Sequence, residues 1–107
     1  MSEALLGLKG FEWDQGNSGK NEQKHAVTDR ECEEAFFNRP RVIAPSFARS
    51  HEEARYVALG KTNKNRLLTV VFTIRHQKIR VISGRPMSKK ERGVYEKEAQ
   101  AYASIQR

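Results

Sequence analysis

The clearest alternation of apolar and polar positions falls late in the chain. Leu67-Leu68-Thr69-Val70-Val71-Phe72-Thr73-Ile74-Arg75 is β-branched and aromatic throughout, which predicts a strand. Its period of two sends Leu68, Val70, Phe72 and Ile74 toward a core and Leu67, Thr69, Val71, Thr73 and Arg75 toward a mixed, partly solvated second face. Arg55 to Gly60 forms an earlier strand, Lys61 to Asn65 has the composition of a hairpin connection, and His76-Gln77 makes a tight turn into a strand from Ile79 to Ser83. Strands joined this closely form an antiparallel meander. In the last of them strict alternation separates Arg80 from Ser83 and Arg85, unless Gly84 bends the strand.

Elsewhere the period is helical. Thr28-Asp29-Arg30-Glu31 is a capping box, and the helix it opens, Asp29 to Phe37, places Cys32, Ala35 and Phe36 on one face. Asn38-Arg39-Pro40 ends it, because the residue before a proline is pushed out of the helical region. Arg41 to Ala44 is a short strand that Pro45 closes or confines to an edge. Ser88-Lys89-Lys90-Glu91 is a second capping box, starting a terminal helix through Ala103 with an apolar stripe of Val94, Tyr95, Ala99 and Tyr102. Toward the N-terminus a strand from Leu5 ends near Trp13, and Asp14 caps a weak helix from Gln15 to His25 that Gly16 and Gly19 loosen. Phe47 to Glu53 is polar and is expected to be a surface loop.

Composition narrows the class. A chain of 107 residues fits a single domain spanning 1–107. With 20 Lys+Arg against 13 Asp+Glu its charge is +7, which favours nucleic acid, an anionic surface or an acidic protein as partner. The one cysteine, Cys32, cannot form an intrachain disulfide. No apolar run is long enough for a membrane span and no signal peptide is evident, so the expectation is a cytoplasmic protein without membrane association. A phosphate is best received by Lys78 to Arg92, where a basic strand runs into a helix start.

Phe11-Glu12-Trp13-Asp14, Asn21 with Lys24-His25, Glu33 to Phe37, Arg55 to Gly60, Arg66 to Thr73, Arg80 to Arg85 and Glu91 to Glu96, in this order and spacing, resemble the BrnT toxins. The resemblance implies an α+β, RelE-like fold: a twisted antiparallel sheet with two helices in the N-terminal half and one C-terminal helix. It implies an endoribonuclease of a bacterial type II toxin-antitoxin module, neutralised by a BrnA-like antitoxin of the ribbon-helix-helix class through which alone operator DNA is bound. The chain departs from the family pattern at Gly16, Gly19, Glu22 and Ala26, and Gly84 stands where the family often has alanine. A degenerate toxin acting only through its antitoxin, or a non-enzymatic nucleic-acid-binding module, is the alternative reading.

Metal-independent RNA cleavage needs proton transfer at the 2′-hydroxyl and at the leaving oxygen, with positive charge over the phosphate. Arginine suits the last role through its planar fork. The catalytic candidates are Arg75, Arg80, Ser83 and Arg85, with His25 as acid or base. Strand-end arginines also serve to pair acidic residues at an edge, and a histidine ending a helix also serves its dipole. His51 and His76 are alternative proton carriers. Lys24, Lys78, Lys89, Arg92 and Tyr95 are the RNA-binding candidates; Tyr95, like Phe11 and Trp13, has a core role as its alternative. The histidines and Cys32 lack zinc-type spacing, so neither metal nor other cofactor is expected.

Overall fold

The computed structural model describes residues 8–46 and 53–106. It is α+β: three helices, α1 (Lys20–His25), α2 (Asp29–Phe37) and α3 (Lys89–Gln106), and four strands, β1 (Val42–Pro45), β2 (Tyr56–Lys61), β3 (Leu67–Arg75) and β4 (Lys78–Pro86). The strands form one antiparallel sheet in the order β1-β2-β3-β4. Short connections force β2, β3 and β4 into this meander, and the tightest is the two-residue link His76-Gln77, with φ of 53° and 63°. Two successive left-handed residues define the turn whose twist matches that of the strands it joins.

One face of the sheet carries the main core. Leu68, Val70 and Phe72, as the alternation requires, are fully buried there with Val27, Cys32, Ala35, Ala58 and Val81. Helix α2 supplies Cys32, Ala35 and Phe36, and its capping box is complete: Thr28 Oγ1 accepts from Glu31 N–H while the Glu31 carboxylate accepts from Thr28 N–H. Burial first, and the negative charges of Asp29, Glu31 and Glu33 after it, push the Cys32 thiol up to about 12. Cys32 is therefore an inert packing group. Phe11 and Trp13 pack against this core, and Trp13 Nε1 donates to Glu33 at 2.8 Å.

The second face is more covered than its mixed composition suggests. Tyr95 and Ala99 of α3 lie against Leu59, Val57, Leu67, Val42 and Met87, making a smaller second core over the β1–β2 half. Val94, expected in the apolar stripe, is instead 48% exposed. Helix α3 reaches the β3–β4 half of this face at one end, where Glu91 accepts from Thr69 and Arg85.

The N-terminal region departs most from expectation. Among its described residues the first strand reduces to Phe11, in a parallel bridge to Ile79; Leu5 to Gly7 lie outside the described residues, as do residues 47–52 of the expected surface loop and His51 within it. The Asp14-capped helix is a turn over residues 15–19 followed by a six-residue helix whose N-cap, Gly19, is left-handed at φ 76°. Asp14 spends its carboxylate on Gly16 N–H at 2.8 Å, and Asp29 of α2 receives Ser18 and Gly19. This segment seals the free edge of β4. Ile79 exchanges backbone bonds with Gly10 and Glu12, Asn17 Nδ2 donates to Val81 O at 3.1 Å, and Asn21 Oδ1 accepts Gly84 N–H at 2.9 Å. Both asparagines are buried, and an edge left with bare backbone groups there would be costly.

Candidate functional site

The pairing of β3 with β4 decides which basic residues share a face. Thr73 faces Arg80 and Arg75 faces Lys78, but the register slips by one, so that Val71 faces Ser83 and Thr69 faces Arg85. Ile82 is the extra residue, a β-bulge that resets the alternation. Directly opposed residues project to the same side, so Arg75, Lys78, Arg80, Ser83 and Arg85 all project on the second face. The bend needed to unite them lies at Ile82 and not at Gly84. Gly84 serves the packing instead, since a Cβ there would stand 2.5 Å from Cys32 Sγ and glycine is what lets α2 close on β4.

Acidic groups meet each arginine on this face. Arg80 holds Asp14 through two nitrogens, at 2.9 and 3.0 Å, and Glu12 at 3.1 Å; its side chain is only 14% exposed. Arg75 grips Glu53 in the same two-pronged way, at 2.6 and 2.8 Å. At the far end Arg85 binds both oxygens of Glu91, at 2.7 and 2.9 Å. His76, at the hairpin tip and 81% exposed, has Nδ1 3.2 Å from Glu12 Oε2. Hydrogen bonds from His76 and Arg80 hold the Glu12 carboxyl below the usual carboxylate range, and those from Arg80 and Gly16 do the same for Asp14. The hydrogen bonds to Asp14 and Glu53 in turn raise Arg80 and Arg75, which stay charged under all ordinary conditions. Thr73 Oγ1 donates to Ala54 O, so residues 53–54 border one side of the face while residues 12–14 border the other.

The remaining candidates fall apart from this cluster. His25 ends α1, in the layer that carries Asn21 and Cys32 on the opposite side of the sheet, and its backbone oxygen accepts from Arg66. The structure does not bring its imidazole to the arginines, so the expectation that it completes the site is corrected; Lys24, beside it, is exposed on the same helix. Tyr95 is removed from the RNA-binding set: it is 4% exposed, packs with Leu59 and Met87, and its hydroxyl donates to Pro40 O at 2.9 Å. Burial raises its phenol. Lys89 and Arg92 are exposed on the first turn of α3, near the Arg85 end. Among the described residues no group of three His, Cys, Asp or Glu is placed to hold a metal ion. A cavity of about 410 Å³ between β1 and α3, lined by Arg39, Arg41, Ile43, Glu98 and Tyr102, contains none of the candidates.

Sequence reasoning missed Glu12 and Asp14. The signal was available: Phe11 and Trp13 alternate with them, so once the two aromatics are assigned to the core, both carboxylates must emerge on the face that carries Arg80.

A sequence model of the family described as the ribonuclease toxin BrnT of type II toxin-antitoxin systems matches residues 13–91. The chain belongs to the BrnT family. Membership brings an RNA substrate and an antitoxin partner. The BrnT match takes in the arginine face from Asp14 to Glu91 and leaves Glu12, Arg92 and Tyr95 outside its limits. No curated protein sequence matches the chain. None of the helices among the described residues is long and apolar enough to cross a membrane.

Proposed function

We propose that the second face of the β3–β4 hairpin binds RNA and cleaves it internally without a metal, in a single RelE-like domain spanning residues 1–107. The observation that carries this reading is the bulge at Ile82, which gathers Arg75, Lys78, Arg80, Ser83 and Arg85 on one side of the sheet. A phosphate entering between Arg75 and Arg80 takes the places of Glu53 and Asp14 with its own oxygens, and the two guanidinium forks then oppose the charge that builds on phosphorus. Ser83, half-buried between them and Arg85, is a hydrogen-bond donor to the same group. Lys78, Lys89 and Arg92, all exposed, extend the contact along the RNA backbone. The toxin acts in the cytoplasm and is silenced by a ribbon-helix-helix antitoxin, which alone binds operator DNA.

The test is induced expression of the wild type and of Arg80→Ala, with total RNA run on a gel and purified protein assayed in EDTA. Growth arrest and chelator-resistant fragmentation by the wild type, lost in a folded Arg80→Ala variant, are expected. Intact RNA with the wild type overturns the reading. A second reading has its own support: Arg75, Arg80 and Arg85 are each already paired with carboxylates, as in a degenerate toxin that only docks its antitoxin. Fragmentation by the wild type eliminates it.

A further inference from the structure

Resting on the ribonuclease reading, we infer that His76 is the general acid of the cleavage step and that Glu12 is its positioning residue. The two are brought together across 64 residues of sequence, with Nδ1 of His76 3.2 Å from Oε2 of Glu12. Glu12 also accepts from Arg80 at 3.1 Å, so its carboxylate is held ionised and can only accept. The proton of this contact therefore resides on Nδ1, which fixes the ring orientation and leaves Nε2 as the nitrogen that faces away from Glu12. Among the described residues nothing is hydrogen-bonded to Nε2. The ring is 81% exposed, at the margin of the face where Arg80 and Arg75 receive the phosphate.

Backbone geometry points the same way. His76 sits at φ 53° and Gln77 at φ 63°, a pair of positions that strongly favours Asn-Gly. Histidine is among the side chains enriched in the left-handed region and Gln77 is the less usual occupant of the pair; such positions collect at functional sites.

In the step inferred, the 2′-oxygen attacks phosphorus and its proton passes to water. The bond from phosphorus to the 5′-oxygen breaks, and the His76 imidazolium gives its Nε2 proton to that oxygen. The products are a 2′,3′-cyclic phosphate and a 5′-hydroxyl, and His76 is reprotonated from water. Glu12 steadies the imidazolium before transfer, and Arg80 holds Glu12 while meeting the phosphate.

The experiment uses the full chain and two oligoribonucleotides of one sequence, the normal phosphodiester and one whose leaving 5′-oxygen is sulfur. A thiolate leaves without being protonated, so its departure needs no acid. His76→Asn keeps a residue that tolerates the turn, and unfolding midpoints verify the fold. The expected result is a loss of roughly 10²-fold or more on the normal substrate, little change on the sulfur substrate, and the same pattern, smaller, for Glu12→Gln. Equal losses on both substrates, or a His76→Asn rate on the normal substrate within about threefold of wild type, overturn the inference while leaving the ribonuclease reading intact. A wild type that cleaves neither substrate overturns both.

Discussion

Glu91 joins the sheet to α3, and its removal has a calculable cost. Its carboxylate accepts Ser88 N–H at 2.8 Å, Thr69 Oγ1 at 2.8 Å and both Arg85 nitrogens at 2.7 and 2.9 Å. These bonds, Arg85's first, bring it from 4.5 down to about 2 against the opposing effect of burial. At ~1.4 kcal/mol per pH unit the depression corresponds to ~3 kcal/mol. Discounting for a side chain still 25% exposed leaves ~2 kcal/mol, a large share of a total expected at ~5–15 kcal/mol. Because the folded value lies below the unfolded one, this stabilisation is complete above about 4.5 and is lost as pH falls toward about 2. Urea unfolding of the wild type and Glu91→Gln should differ by ~2 kcal/mol near neutral pH, and the gap should close through that acid window. A gap of constant size down to the acid end would show that Glu91 acts by shape and not by charge.

Two further expectations concern the fold. Gly84→Ala drives a carbon to 2.5 Å from Cys32 Sγ and should cost ~1–3 kcal/mol by overpacking; adding Cys32→Ala should recover part of that loss, and strictly additive unfolding energies in the double-mutant cycle would refute the contact. Replacing His76→Asn together with Gln77→Gly suits the hairpin's left-handed pair and should stabilise the fold by ~0.5–1 kcal/mol while slowing cleavage by roughly 10²-fold or more; thermal melts and the RNA gel check the two halves separately.

What is legible in the sequence follows from how far each signal reaches. β3 is readable to the residue because nine alternating positions leave one solution, and α2 because its capping box and its burial stripe agree. The bulge leaves no local mark: Val81-Ile82-Ser83 reads as uninterrupted strand, and only the pairing with Val71 and Phe72 reveals that Ile82 is extra. Asn17 and Asn21 look like the polar surface of a poor helix, whereas their partners, Val81 and Gly84, lie 64 and 63 residues away. Helical spacing groups Tyr95 with Arg92, but α3 lies close enough to the sheet to bury one and expose the other.

The sealed edge of β4 also sets the order in which the toxin becomes dangerous. Glu12 and Asp14 are synthesised first, and Arg80, which orders them, follows 68 and 66 residues later. At ~5–20 residues per second that interval is several seconds of synthesis. Throughout it the nascent chain has Glu12 and Asp14 without Arg80, and the face they border is incomplete. A long-range contact that looks like plain structural economy thus also acts as a delay.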